Sequence, residues 1–340
     1  MAISALTRRG FAAGAVAIAA GMQGSVAAAS PIRHIVVILR ENHSFDNYFG
    51  DFPGANGRTL DGPCADTQPD PPHRRADALS GPTSLRKDDT RPGACHYDAS
   101  MLPQYRGWAH RFVLCDNYFA ELLAPSVPNY FALMGAIPAV LENPKGNVRG
   151  RFTEHSLIDR LNDKGVTWRN YDGGIPLVTM FRSAVESGNI VPIARFAVDA
   201  ASGQLPAVSW VTPSLADSEH PPYSVRRGEA WTATQVNAVM HGPAWQRTAI
   251  FIVWDEWGGF DDHVRPPVVE QHGLFPEPVR YGYRVPCIVL SPHAKRGVVS
   301  HTLYSHASIV RTICRLFDLP SANDADARAN DMLDCFNISR

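Results

Sequence analysis

Arg33-His34-Ile35-Val36-Val37-Ile38-Leu39 runs directly into Arg40-Glu41-Asn42-His43-Ser44-Phe45-Asp46. The first part is apolar and β-branched, the pattern of a strand buried on both faces, as in a parallel sheet. The second part sets acids, an amide and a histidine at the strand's end. Similar apolar runs recur at Val166–Tyr171, Ala207–Val211, Ala249–Trp254 and Val285–Leu290. Between them lie stretches of helical periodicity at Thr153–Lys164, Glu229–Met240 and Leu303–Phe317. Strands alternating with helices predict an α/β fold, a mostly parallel central sheet with helices on both faces. In such sheets ligands bind beyond the carboxyl ends of the strands, so the residues after each run are the candidates. They are Glu41–Asp46, Thr212–Pro222, Asp255–His263 and Ser291–His293.

Composition narrows the partners. The 340 residues carry 32 Lys and Arg against 33 Asp and Glu, a net charge of −1. Nucleic acid binding needs clustered cations to neutralise phosphates, so it is not expected. At the N-terminus, Thr7-Arg8-Arg9-Gly10-Phe11 precedes an alanine-rich apolar stretch and Val26-Ala27-Ala28-Ala29. This is the pattern of a twin-arginine export signal over residues 1–29, with a periplasmic or secreted mature chain and no transmembrane segment in it. A single domain is expected over 30–340, with an irregular Pro-, Gly-, Asp- and Arg-rich insertion at about 51–95. None of the six cysteines forms a CxxC pair, so disulfides are expected, with Cys64–Cys95 closing the insertion and Cys314–Cys335 pinning the C-terminal tail.

Glu41, Asp255 and Glu256 place three carboxylates at one sheet edge, and their mutual repulsion calls for a compensating cation. A divalent metal is the simplest; carboxylates with Asn42 suit a hard or borderline ion, and nearby histidines widen the choice, so Ca, Zn, Fe or Mn all fit. Acids after strands also serve as helix caps, and any one of them alone would mean little.

Four ordered segments resemble one family. Glu41–Gly50 resembles the opening motif of bacterial phospholipase C and acid phosphatase-type phosphoesterases, relatives of the alkaline phosphatase superfamily. Cys115–Phe119 leads to Pro125-Ser126-Val127-Pro128-Asn129, which resembles the nucleophile segment. Asp255–Pro267 resembles the family's Asp-Glu/Asp, Gly-Gly, Asp-His motif, and Arg284-Val285-Pro286 through Ser291-Pro292, Val299-Ser300-His301 and His306 resembles its closing segment. The resemblance implies an alkaline phosphatase-like fold and a Ser126 hydroxyl that attacks phosphorus. It also implies a metal shell of Glu41, Asn42, Ser126, Asp255 and Glu256. Histidines would supply the proton to the leaving group: His220 and His263, then His301 and His306, with His96 at the position where many members carry one before the nucleophile.

The expected activity is hydrolysis of phosphate esters, phospholipase C-like on phospholipid head groups at a membrane surface. An acid phosphatase acting on monoesters is the alternative, favoured by serine where phospholipases C of the group commonly carry threonine. A catalytically silent binding protein of the same fold is a second alternative. Gly258-Gly259 is expected to allow a turn or close packing rather than to bind phosphate. Trp108, Trp168, Tyr171, Trp231 and Trp257 could each be a choline-binding aromatic or core.

Overall fold

A computed structural model describes residues 30–80, 93–269, 271–275 and 277–338. The proposed export signal at 1–29 lies outside them. Among the described residues twelve strands are formed: β1 (His34–Arg40), β2 (Val113–Cys115), β3 (Tyr118–Phe119), β4 (Trp168–Asp172), β5 (Ile190–Pro192), β6 (Val208–Thr212), β7 (Thr248–Trp254), β8 (Val268–Val269), β9 (Val279–Arg280), β10 (Cys287–Leu290), β11 (Val298–Ser300) and β12 (Tyr304–Ser305). Eight build the central sheet in the order β11-β2-β10-β7-β1-β6-β4-β5. Each of the five apolar runs becomes one of its strands. All seven residues of β7 and all five of β6 are buried, so both faces of the sheet are covered.

The pairing is parallel except at β10, which runs antiparallel to both β7 and β2. That reversal corrects one expectation. Ser291–His293 follows a strand running the other way and therefore leaves at the opposite edge, where His293 Nε2 donates to the carbonyl of Gln246, just before β7 begins. By the same reversal Arg284, just ahead of β10, arrives at the edge where β1 and β7 end. Along β1 and β7, Leu39 pairs with Val253 and Arg40 with Trp254. Glu41 and Asp255 therefore leave the sheet side by side, and the Asp255 amide donates to the Arg40 carbonyl at 3.2 Å.

Helix ends follow their caps. The predicted 153–164 helix is confined to Leu157–Asp163 because Ser156 and Asp159 form a reciprocal capping box. The predicted 229–240 helix starts earlier, at Val225, where the Ser224 hydroxyl accepts from the Arg227 amide. The predicted 303–317 helix is trimmed to His306–Leu316, since Tyr304-Ser305 pairs with β3 instead.

The insertion is more ordered than its composition predicts. It carries the helix Arg75–Ser80 and is closed by a Cys64–Cys95 disulfide. Asp66 ties it to the body, accepting from the Ser224 hydroxyl at 2.7 Å and the Arg226 amide at 2.9 Å. The expected Cys314–Cys335 bridge is absent. Both thiols are free and buried, and Cys335 lies 3.7 Å from the Tyr304 hydroxyl.

Candidate active site

Ser126 opens the helix Ser126–Leu133, directly after Pro125. Asn129 turns back from that helix to hold the loop in front of it: its amide donates to the carbonyls of Ala124 at 3.0 Å and Pro125 at 3.2 Å. Its oxygen accepts from the Leu122 amide at 3.0 Å. The Pro-Ser-Val-Pro-Asn spacing is therefore a device that fixes the serine. The Ser126 hydroxyl is 3.5 Å from Asn42 Oδ1 and lies beside Asp255.

Around that hydroxyl the structure gathers Glu41, Asn42, Asp255 and Glu256, all buried. Asn42 takes a left-handed backbone (φ 59°), and Gly258 (φ 63°) packs on it so closely that a Cβ there would stand 2.2 Å from the Asn42 carbonyl. Gly259 in turn packs on Pro71 and Pro72. The glycine pair thus serves close packing, as its sequence reading held. Tyr130, one turn beyond Ser126, donates to Glu41 Oε1. Glu256 Oε2 accepts from the Gly258 amide at 2.8 Å, while Glu256 Oε1 and both oxygens of Asp255 are buried with no hydrogen-bond partner.

Burial, and then mutual repulsion, pushes all three acids well above the ordinary carboxylate range, Glu41 against Asp255 and Asp255 against Glu256. Two of the three, Asp255 and Glu256, leave buried oxygens without a partner, and with Glu41 and Asn42 beside them they make a donor set of the kind that suits a divalent cation.

Two imidazoles face the same place. His73 Nε2 is 3.4 Å from Asn42 Nδ2 and 3.8 Å from Glu256 Oε1, while its Nδ1 donates to the Pro71 carbonyl at 2.7 Å. His220 packs edge-on against His73, centroids 5.5 Å apart, and its Nδ1 donates to the Pro221 carbonyl at 2.6 Å. A carbonyl can only accept, so in both neutral rings the proton sits on Nδ1 and Nε2 keeps its lone pair. Burial lowers the pKa of His220, which favours that neutral form. Asp70, His73 and His220 bring ligand atoms within 4.8 Å of one another. The chain neighbour of His220, Glu219, is buried and fixed, its carboxylate accepting from Arg40 at 2.8 Å, Tyr48 at 2.7 Å and Tyr105 at 2.5 Å.

The remaining expected histidines are placed elsewhere. His306 is buried under the site: Nε2 donates to the Asp255 carbonyl at 2.6 Å, Nδ1 accepts from Tyr118, and burial lowers its pKa to about 4. It is a neutral strut for Asp255. His263 belongs to a separate ion-pair network, 2.5 Å from Asp46, with Arg284 bridging Asp46 and Asp262. That network brings Asp46, Asp262 and His263 together around a guanidinium that already supplies the positive charge. His301 pairs with Asp116 at 2.8 Å with its ring largely in solvent. His96 donates to the Leu60 carbonyl, and the histidine of the insertion that faces Asn42 and Glu256 is His73. Its sequence signal is the Asp70-Pro71-Pro72-His73 run, which in the sequence reads only as part of the irregular insertion. The five aromatics resolve as packing: Trp108, Trp168, Tyr171 and Trp257 are buried and Trp231 stacks on Arg40.

The fold is shared with solved structures of low identity. The lipoteichoic acid synthase LtaP from Listeria monocytogenes superposes with a TM-score of 0.52 at 8% identity, covering 92% of this chain and 77% of that one. Ps i-CgsB does so with 0.51 at 11% identity, covering 88% and 75%. The chain belongs to the Phosphoesterase family, which it matches over residues 32–87 and 85–320. Among its relatives, phospholipase C A of Mycobacterium tuberculosis is 27% identical over 91% of this chain and 78% of its own length. Non-specific phospholipase C1 of Arabidopsis thaliana is 26% identical over 86% and 68%. Non-hemolytic phospholipase C of Pseudomonas aeruginosa is 24% identical over 91% and 57%. This places the chain among hydrolases of phosphoric ester bonds. No helix among the described residues is long and apolar enough to cross a membrane.

Proposed function

We propose that this chain is an exported, metal-dependent phosphoesterase acting through Ser126 on phospholipase C-like substrates. The observation that carries the reading is the Ser126 hydroxyl set beside Asp255 in a cradle of buried, unpartnered carboxylate oxygens. Glu41, Asn42, Ser126, Asp255 and Glu256, joined by His73, His220 or Asp70, would hold the ion. When bound, a divalent metal neutralises the acids, lowers the pKa of the serine hydroxyl and offsets charge growing on the phosphoryl oxygens.

The chain's own residues account for the rest. Asn129 and Pro125 fix the serine so that its oxygen attacks phosphorus without reorganising the loop. Ser126, its hydroxyl proton already released to solvent, adds through Oγ to phosphorus as the P–O bond to the alcohol breaks, giving a phosphoserine. Whichever of His73 and His220 is not engaged by the ion, once protonated, gives its Nε2 proton to the departing alkoxide. Water then adds to phosphorus, loses its proton to that same imidazole and frees the serine.

The test is hydrolysis of p-nitrophenyl phosphate and p-nitrophenylphosphorylcholine by wild type and Ser126→Ala, with metal content measured on both preparations. The variant should keep its fold and lose turnover by ~10⁴-fold or more. Retained turnover would place the nucleophile elsewhere, and an active protein free of metal would refute the cradle's role.

A further inference from the structure

A groove of about 900 Å³ opens beside the nucleophile, and its walls specify what the substrate carries there. It is lined by Pro125, which precedes Ser126, and by His73, Arg74 and Asp77 of the disulfide-closed insertion. Glu142 and Lys145 form the facing loop. Both walls are tied to the Ser126 segment, the Arg75 guanidinium donating to the Leu123 carbonyl at 3.2 Å and Asn143 Oδ1 accepting from the Val127 amide at 2.8 Å, and the Arg75 amide reaches across to Glu142 Oε2 at 3.4 Å. The groove is therefore built onto the site rather than lying near it by chance.

Its chemistry is one-sided. No Trp, Tyr or Phe lines it among the described residues, and the five aromatics that could have caged a quaternary ammonium are engaged in packing elsewhere. What lines it instead alternates donors with acceptors. Lys145 and Arg74 are exposed, with no ion pair among the described residues, and stand with the carboxylates of Asp77 and Glu142. A trimethylammonium group has no hydrogen to donate and gains most from ring faces. Each hydroxyl, by contrast, both donates and accepts, and a wall of alternating ammonium and carboxylate groups can satisfy both.

We propose that this groove selects phosphate esters of hydroxyl-rich alcohols over those of choline. The proposal rests on the phosphoesterase reading above and names the substrate class of that same site. The ester is either a polyol head group on a lipid or a free polyol phosphate. In the first case water cleaves the diester to diacylglycerol and the polyol phosphate; in the second it cleaves the monoester to the polyol and inorganic phosphate.

The experiment compares initial rates on vesicles of phosphatidylinositol and phosphatidylcholine, and on soluble glycerol 1-phosphate and phosphocholine. p-Nitrophenyl phosphate serves as a reference, with wild type, Lys145→Ala and Glu142→Gln each confirmed as folded by thermal melting. Wild type should favour the polyol member of at least one pair by about tenfold, the scale of one or two well-placed hydrogen bonds. The polyol-to-choline ratio should fall severalfold in each variant. Preference on vesicles alone identifies a lipid head group, and preference on soluble esters identifies a free polyol phosphate. Equal rates, a choline preference, or a ratio that neither variant moves would overturn the proposal while leaving p-nitrophenyl phosphate hydrolysis intact. Failure of wild type on every ester, the reference included, would overturn the phosphoesterase reading and the proposal with it.

Discussion

At the scale of single residues, the structure separates histidines that the sequence could only collect. His73 presents Nε2 to Asn42 and Glu256, whereas His96 is spent on the Leu60 carbonyl. His73→Gln should lower kcat on p-nitrophenyl phosphate by ~100-fold or more, in the range of a lost proton donor, and His96→Ala should stay near wild type. The reverse pattern would restore His96 to the role that its place in the chain implied. A second residue governs stability. Glu229 Oε1 accepts from the amides of Gln104 and Tyr105, and burial, the dominant cause, raises its pKa to about 7. Between about pH 4.5 and 7 the native state therefore holds a proton that the unfolded chain has released. The stability from this group is fully present below the lower value and is lost as pH rises through the upper one. Glu229→Gln keeps the acceptor without the charge. Denaturant melts should show the variant gaining on wild type across that window by up to ~3 kcal/mol. Parallel pH profiles for the two would show that Glu229 ionises normally.

At the scale of elements, the insertion is the part that composition misrepresents. Its Pro, Asp and Arg content reads as irregular chain, yet Cys64–Cys95, the helix Arg75–Ser80 and the Asp66 contacts hold it against the body. The amide of Asn47 reaches the Cys95 carbonyl at 2.7 Å and Cys64 Sγ at 3.3 Å, anchoring the closed loop to the opening motif. Because this loop carries His73, Cys64→Ser with Cys95→Ser should destabilise the protein by ~3–4 kcal/mol and lower turnover together. Full activity in a folded double variant would show that the loop holds its place unaided. Helix and strand bodies were legible from periodicity. Their ends were not, since Ser156 and Ser224 act as caps only once the backbone around them is set, and Tyr304-Ser305 is claimed by β3.

At the scale of the whole molecule, thiol chemistry tests the covalent framework. Unfolded without reductant, the chain should titrate four thiols, Cys115, Cys287, Cys314 and Cys335. Two thiols would show one further bridge, the tail pair or Cys115–Cys287, which face each other across β2 and β10, and six would remove the insertion's disulfide. The sequence by itself determined the α/β class, because runs such as Ile35–Leu39 and Ala249–Trp254 are too apolar to sit anywhere but a doubly covered sheet. It also determined which residues leave those strands, because chain order alone puts Glu41 after β1 and Asp255-Glu256 after β7. Only the tertiary structure decided the direction of β10, which sends His293 away and brings Arg284 in, since a buried strand reads the same in either direction. Only it decided the histidines: an imidazole's role depends on what each nitrogen faces, and His73 and Glu256, far apart in sequence, face each other only after the insertion folds back over the sheet edge.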